Sequence, residues 1–397
     1  MFEAAVRIMK PVVRNALLGT ILLGGLALAA GRRGGDPPEP TTDAPAAEEE
    51  PAAPAPEIFP GSLPLALEEV PEGLANLSAQ SCNACHWQIH DDWSNSSHTG
   101  AWRSDAFQEA IHRVGDSTAC TSCHLPLTNQ HSRLATGYVE QDLTRPLFQD
   151  NPTWDPTLMA EGVGCAGCHV RDGVVLGLHE STSAPHPVVV SKELTQSTFC
   201  ASCHQLTWPE ADKPFYDTYG EWERSPYAEA GIRCQDCHMP PVAAPVTATH
   251  FAGQASHIFS ADLARAVSVL LSMQRPDVQR GAEYAVSMRL QNTGAGHYFP
   301  TGSPFKRYRI IADLIGEEGL PISEPFTIDL AREIEDAPPW HTLSDNRLPP
   351  GGELSLSWYF LVDQRTSAQD AIIQISVQPV GTGDDPTILQ EIPVQVL

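Results

Sequence analysis

All ten cysteines of the 397-residue chain fall in five identical arrangements, each a C-x-x-C pair followed at once by histidine. They are CNACH (Cys82, Cys85, His86), CTSCH (Cys120, Cys123, His124), CAGCH (Cys165, Cys168, His169), CASCH (Cys200, Cys203, His204) and CQDCH (Cys234, Cys237, His238). Zinc ribbons use C-x-x-C pairs and exported proteins use disulfides, but neither chemistry needs a histidine after every pair. With 15 histidines in the chain, five such coincidences have a chance probability on the order of 10⁻⁷, against the direct reading of C-x-x-C-H as a c-type haem attachment site. Two thiols one helical turn apart can form thioethers with the two vinyl groups of one haem. The next residue then lies under the iron and offers an imidazole. The spacing therefore predicts five covalently attached c-type haems, with iron held on one face by His86, His124, His169, His204 and His238.

Each iron has a second face. Methionine there raises the potential, and histidine is the other common ligand. Met239 adjoins its own motif histidine on the wrong side of that haem, and Met288 alternates with Val286 and Leu290 as strand core, so methionine fits poorly. Histidines outside the motifs are numerous enough for bis-histidine coordination throughout. The expected ligands are His98 in WSNSSH, His179 in VLGLHE (with His186 as its alternative), one histidine of THFAGQASH and His297 in NTGAGHYFPTG. In THFAGQASH the choice lies between His250 and His257, and His250 is taken. His90, His112 and His131 read as exposed or propionate-bonding, and His341 as non-ligating. A weak internal repeat, WSNSSH at Trp93–His98 and WERSPY at Trp222–Tyr227, shares W-x-x-S-x-aromatic. It suggests a recurring helix packed on a haem, with its sixth position aimed at iron in one copy and Tyr227 packing or hydrogen-bonding in the other.

These residues need elements to hold them. Residues 1–33 read as a signal peptide: Arg7, Lys10 and Arg14 precede an apolar run, Ala16–Ala30, that ends in small residues. The run is short for a membrane span, so cleavage is the first expectation and an uncleaved anchor the second. Residues 34–71 are rich in Pro, Ala and Glu and read as an extended acidic linker. Residues 72–261 would form the pentahaem domain, mostly α or irregular because covalent cofactors replace much of its core. From 262 to 397 apolar residues alternate, as in Tyr284, Val286, Met288, Leu290 and again in Leu354, Leu356, Trp358, Phe360, Val362. About seven short strands with glycine-rich turns suggest an immunoglobulin-like all-β sandwich. The fold class is thus multidomain, a cytochrome domain followed by a β domain.

Ser81 to His238 resembles the cytochrome c554-type multihaem cytochromes. The resemblance rests on CNACHWQIHDDWSNSSH, CTSCH, EGVGCAGCH and FCASCH in that order. It covers roughly 160 residues of the 397. It implies His98 opposite His169, His179 opposite His204, and an open, five-coordinate iron at the haem of Cys120, Cys123 and His124. The chain departs from that pattern by its fifth motif, CQDCHMP, and by the added β domain. A G-H-x-x-P-T-G loop like that around His297 occurs in β domains attached to other multihaem cytochromes, where the resemblance hints at haem contact. No C-x-x-C-K variant is present, which disfavours the nitrite reductase type with a lysine-ligated haem.

A net charge of −25 excludes a nucleic-acid partner, which needs basic surface. No Ser-His-Asp set, phosphate loop or nucleotide fingerprint appears. The expected function is exported electron transfer, periplasmic or otherwise extracytoplasmic, to redox protein partners such as other cytochromes. A membrane tether could act through the N-terminus. The alternative is an oxidoreductase acting on a small nitrogen or sulfur compound at the second haem, with His112, His131 or Arg133 in its pocket. A third reading makes the β domain and linker a docking device for the haem wire.

Overall fold

The computed structural model describes residues 70–115, 118–142, 145–242, 253–259 and 261–397, all within one compact unit. The expected signal segment, all but the end of the expected linker, and His250 lie outside the described residues. Among the described residues no helix is long and apolar enough to cross a membrane.

The first half is helical and irregular. Its helices are α1 (Ala79–Ser94), α2 (Asp105–Val114), α3 (Thr118–His124), α4 (Pro156–Glu161), α5 (Cys165–His169), α6 (Ser197–His204), α7 (Thr218–Glu223), α8 (Pro226–Glu229) and α9 (Cys234–His238). Short strands lie between them: β1 (Arg133–Tyr138) with β2 (Pro146–Asp150), and β3 (Val170–Arg171), β4 (Val174–Gly177) and β5 (Val188–Val190). Four motifs end their helices, at His124, His169, His204 and His238, and the first bends α1 at His86 (φ −107°, ψ 41°). Leu77, Leu127, Leu158, Ala166 and Val170 make only a small apolar cluster. Side chains therefore satisfy backbone groups that helices and strands would otherwise pair. Buried Gln130 donates to Leu158 O (2.8 Å) and Gly162 O (2.6 Å) and accepts from Leu127 N. Glu161 caps the start of α1, accepting from Ala79 N at 2.9 Å and from the Ser78 hydroxyl, and so ties the first motif to the segment ahead of the third.

The second half is the expected sandwich. One sheet has the order β13 (Glu353–Leu361), β8 (Glu283–Asn292), β6 (Val267–Met273). The other runs β10 (Phe326–Leu330), β9 (Tyr308–Gly316), β14 (Asp370–Pro379), β15 (Thr387–Val396), β7 (Asp277–Val278), antiparallel except for the β15–β7 pair. Alternate residues point inward. Val286, Met288 and Leu290 meet Ile310, Leu314, Ile373, Ile375 and Trp358 in one core. The strands outnumber the expected seven because β7 is a two-residue edge and β11 (Arg332–Ile334) pairs with β12 (Thr342–Asp345) outside both sheets. That extra ribbon reaches the helical half: Arg332 donates to Pro214 O at 2.6 Å and Thr342 N to Asp212 at 2.8 Å. Trp340, between the two ribbon strands, is buried with Leu206, Trp208 and Phe215.

Candidate functional site

Three motif histidines each face a histidine from elsewhere in the chain. Ring centroids are 6.3 Å apart for His204 and His98, 6.1 Å for His169 and His257, and 6.1 Å for His238 and His297. Two imidazoles bound to opposite faces of one metal ion, with metal–nitrogen bonds of about 2 Å, would have centroids about 6 Å apart. Among the described residues no group of three or more His, Cys, Asp or Glu gathers around a bare ion. The nitrogens are prepared for the same role. Nδ1 of His169 donates to Leu176 O (2.9 Å), that of His257 to Ala255 O (3.0 Å) and that of His297 to Tyr298 O (2.9 Å). Such bonds fix the tautomer and leave Nε2 with its lone pair. Burial pushes the imidazoles of His204, His257 and His297 down to about 4 and lowers those of His98 and His169, so all five are neutral donors near pH 7. This donor set fits a haem iron.

The pairing departs from the c554-type pattern. His98 faces His204 rather than His169, and His257 takes the place opposite His169. The reason lies in α1. Asp92 accepts from both Ser256 Oγ and His257 N at 3.0 Å, so the helix of the first motif holds the His257 segment directly. Phe259, at a left-handed φ of 51°, then wedges between the two rings, 4.4 Å from His98 and 5.7 Å from His257. His98 itself sits in a turn beyond the end of α1. His179 is exposed in the loop after β4, and His186 is half-buried. His90 approaches Gln80, His131 approaches Leu125 O through Nε2, and His112 and His341 are exposed.

The tryptophan repeat has matching geometry in both copies. Trp93 Nε1 donates to Val163 O (2.8 Å) and Trp222 Nε1 to Ile232 O (2.9 Å), in each case two residues ahead of a motif's first cysteine, Cys165 of the third and Cys234 of the fifth. Ser96 N and Ser225 N each return to the tryptophan carbonyl at 2.9 Å. The serine hydroxyls each accept at 3.3 Å from the amide of the sixth position, His98 or Tyr227. Replacing Trp93 with Phe keeps a ring but drops the donor. The expected cost is about 1–3 kcal/mol for an acceptor left without its partner. Urea unfolding measures it, and an unchanged midpoint would assign the bond no weight.

The motifs are close to one another. The thiols of Cys82 and Cys165, Cys123 and Cys203, and Cys200 and Cys234 are hydrogen-bonding neighbours. The first motif thus abuts the third, and the fourth abuts the second and the fifth. At the second motif His124 donates from Nδ1 to Ala101 O, and the ring stacked on it, 3.6 Å away, is that of Phe107. Half-buried Tyr216, bonded to Ser303, lies beside Cys120 and Cys123, and desolvation raises its phenol above the ordinary tyrosine range. Arg133, expected in this pocket, has its guanidinium 4.5 Å over the Phe148 ring.

The His297 loop joins the two halves. Carboxylate Glu221, 4% exposed on α7, accepts from Tyr298 N (3.1 Å) and Thr301 Oγ1 (2.6 Å) and pairs with Arg347 (2.8 Å). Arg347 also grips Asp345 through two nitrogens at 2.9 Å and lies 4.9 Å over the Tyr298 ring. Tyr227 donates to Thr293 O at 2.9 Å. Two glycines let this loop approach: a Cβ on Gly294 would lie 2.0 Å from Arg265 O, and one on Gly296 3.1 Å from Tyr227. Glu221 was invisible to sequence reasoning, which had no signal that this acid is buried.

Among solved structures, a penta-heme cytochrome c552 from Thermochromatium tepidum matches with a TM-score of 0.54 at 17% identity, over 82% of this chain and 100% of that one. The likeness shows the fold: a multihaem cytochrome-like helical half followed by a β domain. It does not single out the c554 type. The alkylpurine DNA glycosylase AlkC of Pseudomonas fluorescens (TM-score 0.20, 11% identity, 33% of this chain and 30% of that one) carries no argument. Nor does a Niemann-Pick type C2 protein from Japanese carpenter ant (0.20, 16%, 33% and 89%). No protein-family model and no curated protein matches the chain.

Proposed function

We propose that the chain is an exported pentahaem c-type cytochrome that passes electrons along closely packed, mainly bis-histidine haems. The observation that carries this reading is the set of three imidazole pairs at 6.1–6.3 Å, each joining a C-x-x-C-H histidine to a histidine from elsewhere. Haem, when bound, supplies an iron that cycles between two oxidation states; the protein supplies ligands, burial and field. Cys82, Cys85, Cys120, Cys123, Cys165, Cys168, Cys200, Cys203, Cys234 and Cys237 would hold the five groups. His98, His257 and His297 would close three irons against substrate. The motif contacts support a branched path through the fourth motif. Lys306, close enough to His204 and His297 to depress both, adds a positive field that favours reduced iron there. Export, a tether through the N-terminus and a redox protein partner belong to the same proposal and follow from the sequence alone.

One observation favours a second reading, in which the second haem reacts with a small nitrogen or sulfur compound. The ring packed on His124 is a phenylalanine with no atom to give to iron, and Tyr216 and Ser303 supply polar groups nearby. Electron paramagnetic resonance of the oxidised, haem-loaded protein separates the two. Five low-spin signals would leave electron transfer alone. One high-spin signal that shifts with nitrite or hydroxylamine would establish the open site. Fewer than three low-spin irons would overturn the bis-histidine assignment.

A further inference from the structure

We infer that Glu221, helped by Tyr227, is a positioning residue that sets His297 of the β domain against His238 of the fifth motif. The inference rests on the proposal that His297 is a haem ligand, and it adds the device that puts it there.

The two tryptophan segments solve one problem in two ways. In the first copy the sixth residue is His98, which itself faces a motif histidine, His204. In the second copy the sixth residue is Tyr227, which has no imidazole to offer. Its hydroxyl instead captures Thr293 O, and its ring lies against Gly296, next to His297. The rings of His238 and His297 then stand nearly parallel, 6.1 Å apart. Glu221 fixes the other side of the same loop. One carboxylate oxygen takes Tyr298 N and Thr301 Oγ1, on either side of Phe299 and Pro300; the other takes Arg347. Thr218, one turn earlier on α7, adds a bond to Thr301 at 3.0 Å. A carboxylate this deeply buried is retained only when its oxygens are occupied. Among the described residues the partners of this carboxylate, Tyr298, Thr301 and Arg347, are all in the β domain, and two of them flank His297 or close its loop. The β domain is on this reading a ligand donor to the cytochrome half and not an appended module.

The test uses the full-length, haem-loaded protein with Glu221→Ala, Glu221→Gln, Tyr227→Phe and His297→Ala. Paramagnetic resonance reads ligation, and amide hydrogen exchange reads the loop at residues 293–302. His297→Ala is expected to remove one low-spin signal. Glu221→Ala is expected to weaken that same signal and no other, and to speed exchange of the loop about tenfold or more. Glu221→Gln, which keeps an acceptor for Tyr298 and Thr301, is expected to restore most of the signal. A positional shift that merely destabilised the fold would not select one iron. If Glu221→Ala fails to fold, Tyr227→Phe removes one hydroxyl only and is expected to speed the same loop. Loss of the signal in His297→Ala, with ligation and loop exchange unchanged in the Glu221 and Tyr227 variants, would overturn the positioning role alone. An unchanged low-spin count in His297→Ala would overturn the ligand reading and this inference with it.

Discussion

Replacing Arg347 with alanine is expected to destabilise the protein by about 3–5 kcal/mol, because it leaves buried Glu221 without its cation and partly buried Asp345 with only the more distant Lys213, 3.6 Å away. Glu221 and Asp345 keep 3% and 13% of their side-chain surface exposed, and Arg347 only 10%. The pair geometry is close on both sides, 2.8 and 2.9 Å. Arg347 holds the carboxyl of Asp345 below its usual range, against the upward push of burial. Surface pairs elsewhere on the β domain, such as Arg289–Glu353 at 3.8 Å with both side chains about half exposed, are expected to contribute far less when broken. Calorimetry on the two variants, Arg347→Ala and Arg289→Ala, measures the contrast. Equal losses would mean that the Glu221–Arg347–Asp345 cluster is screened as surface pairs are. On the proposed electron-transfer reading the cluster also bears on function, since its loss would free the loop that carries His297.

How much of this was legible in the sequence depends on the range of the interaction. The motifs are local: five residues suffice to specify thiol spacing and the adjoining imidazole. The β sandwich was legible because alternation over nine or ten residues, as in β8 and β13, reports a buried face directly. Ligand pairing was not. His250 and His257 both follow the fifth motif, and spacing cannot rank them. What brings His257 to His169 is a carboxylate on α1, Asp92, more than 160 positions earlier. Asp92 in WQIHDDW reads as an ordinary polar residue of a helix. Glu221 in YGEWERSPY likewise reads as a solvated acid, and only the fold shows it closed in by Tyr298, Thr301 and Arg347. The tryptophan repeat lay between these cases. Its spacing was visible, but its sense came from two indole bonds that land two residues ahead of a motif.

The pairing leads to the second large effect. His98→Ala and His257→Ala are each expected to convert one low-spin iron to high-spin, and the double variant to convert two. Additivity follows because the two histidines serve different motif partners, His204 and His169. Had His98 been the ligand opposite His169, as the c554-type resemblance implies, the two histidines would compete for one iron, and removing both would cost one signal. The distinction is sharp because the rings crowd together: Phe259 touches both, and His98 lies close enough to His257 to help depress it. Counting high-spin irons by paramagnetic resonance in the three variants decides the matter, and a double variant with one converted iron would return His98 to the third motif. Two conversions would have a structural consequence. The turn after α1 would then close the fourth site, while Asp92 of α1 holds the residue that closes the third. One helix, already carrying the first motif, would fix three haem sites relative to one another. Spacing between redox centres governs tunnelling, so the rigidity of α1 would set the rate along that part of the path.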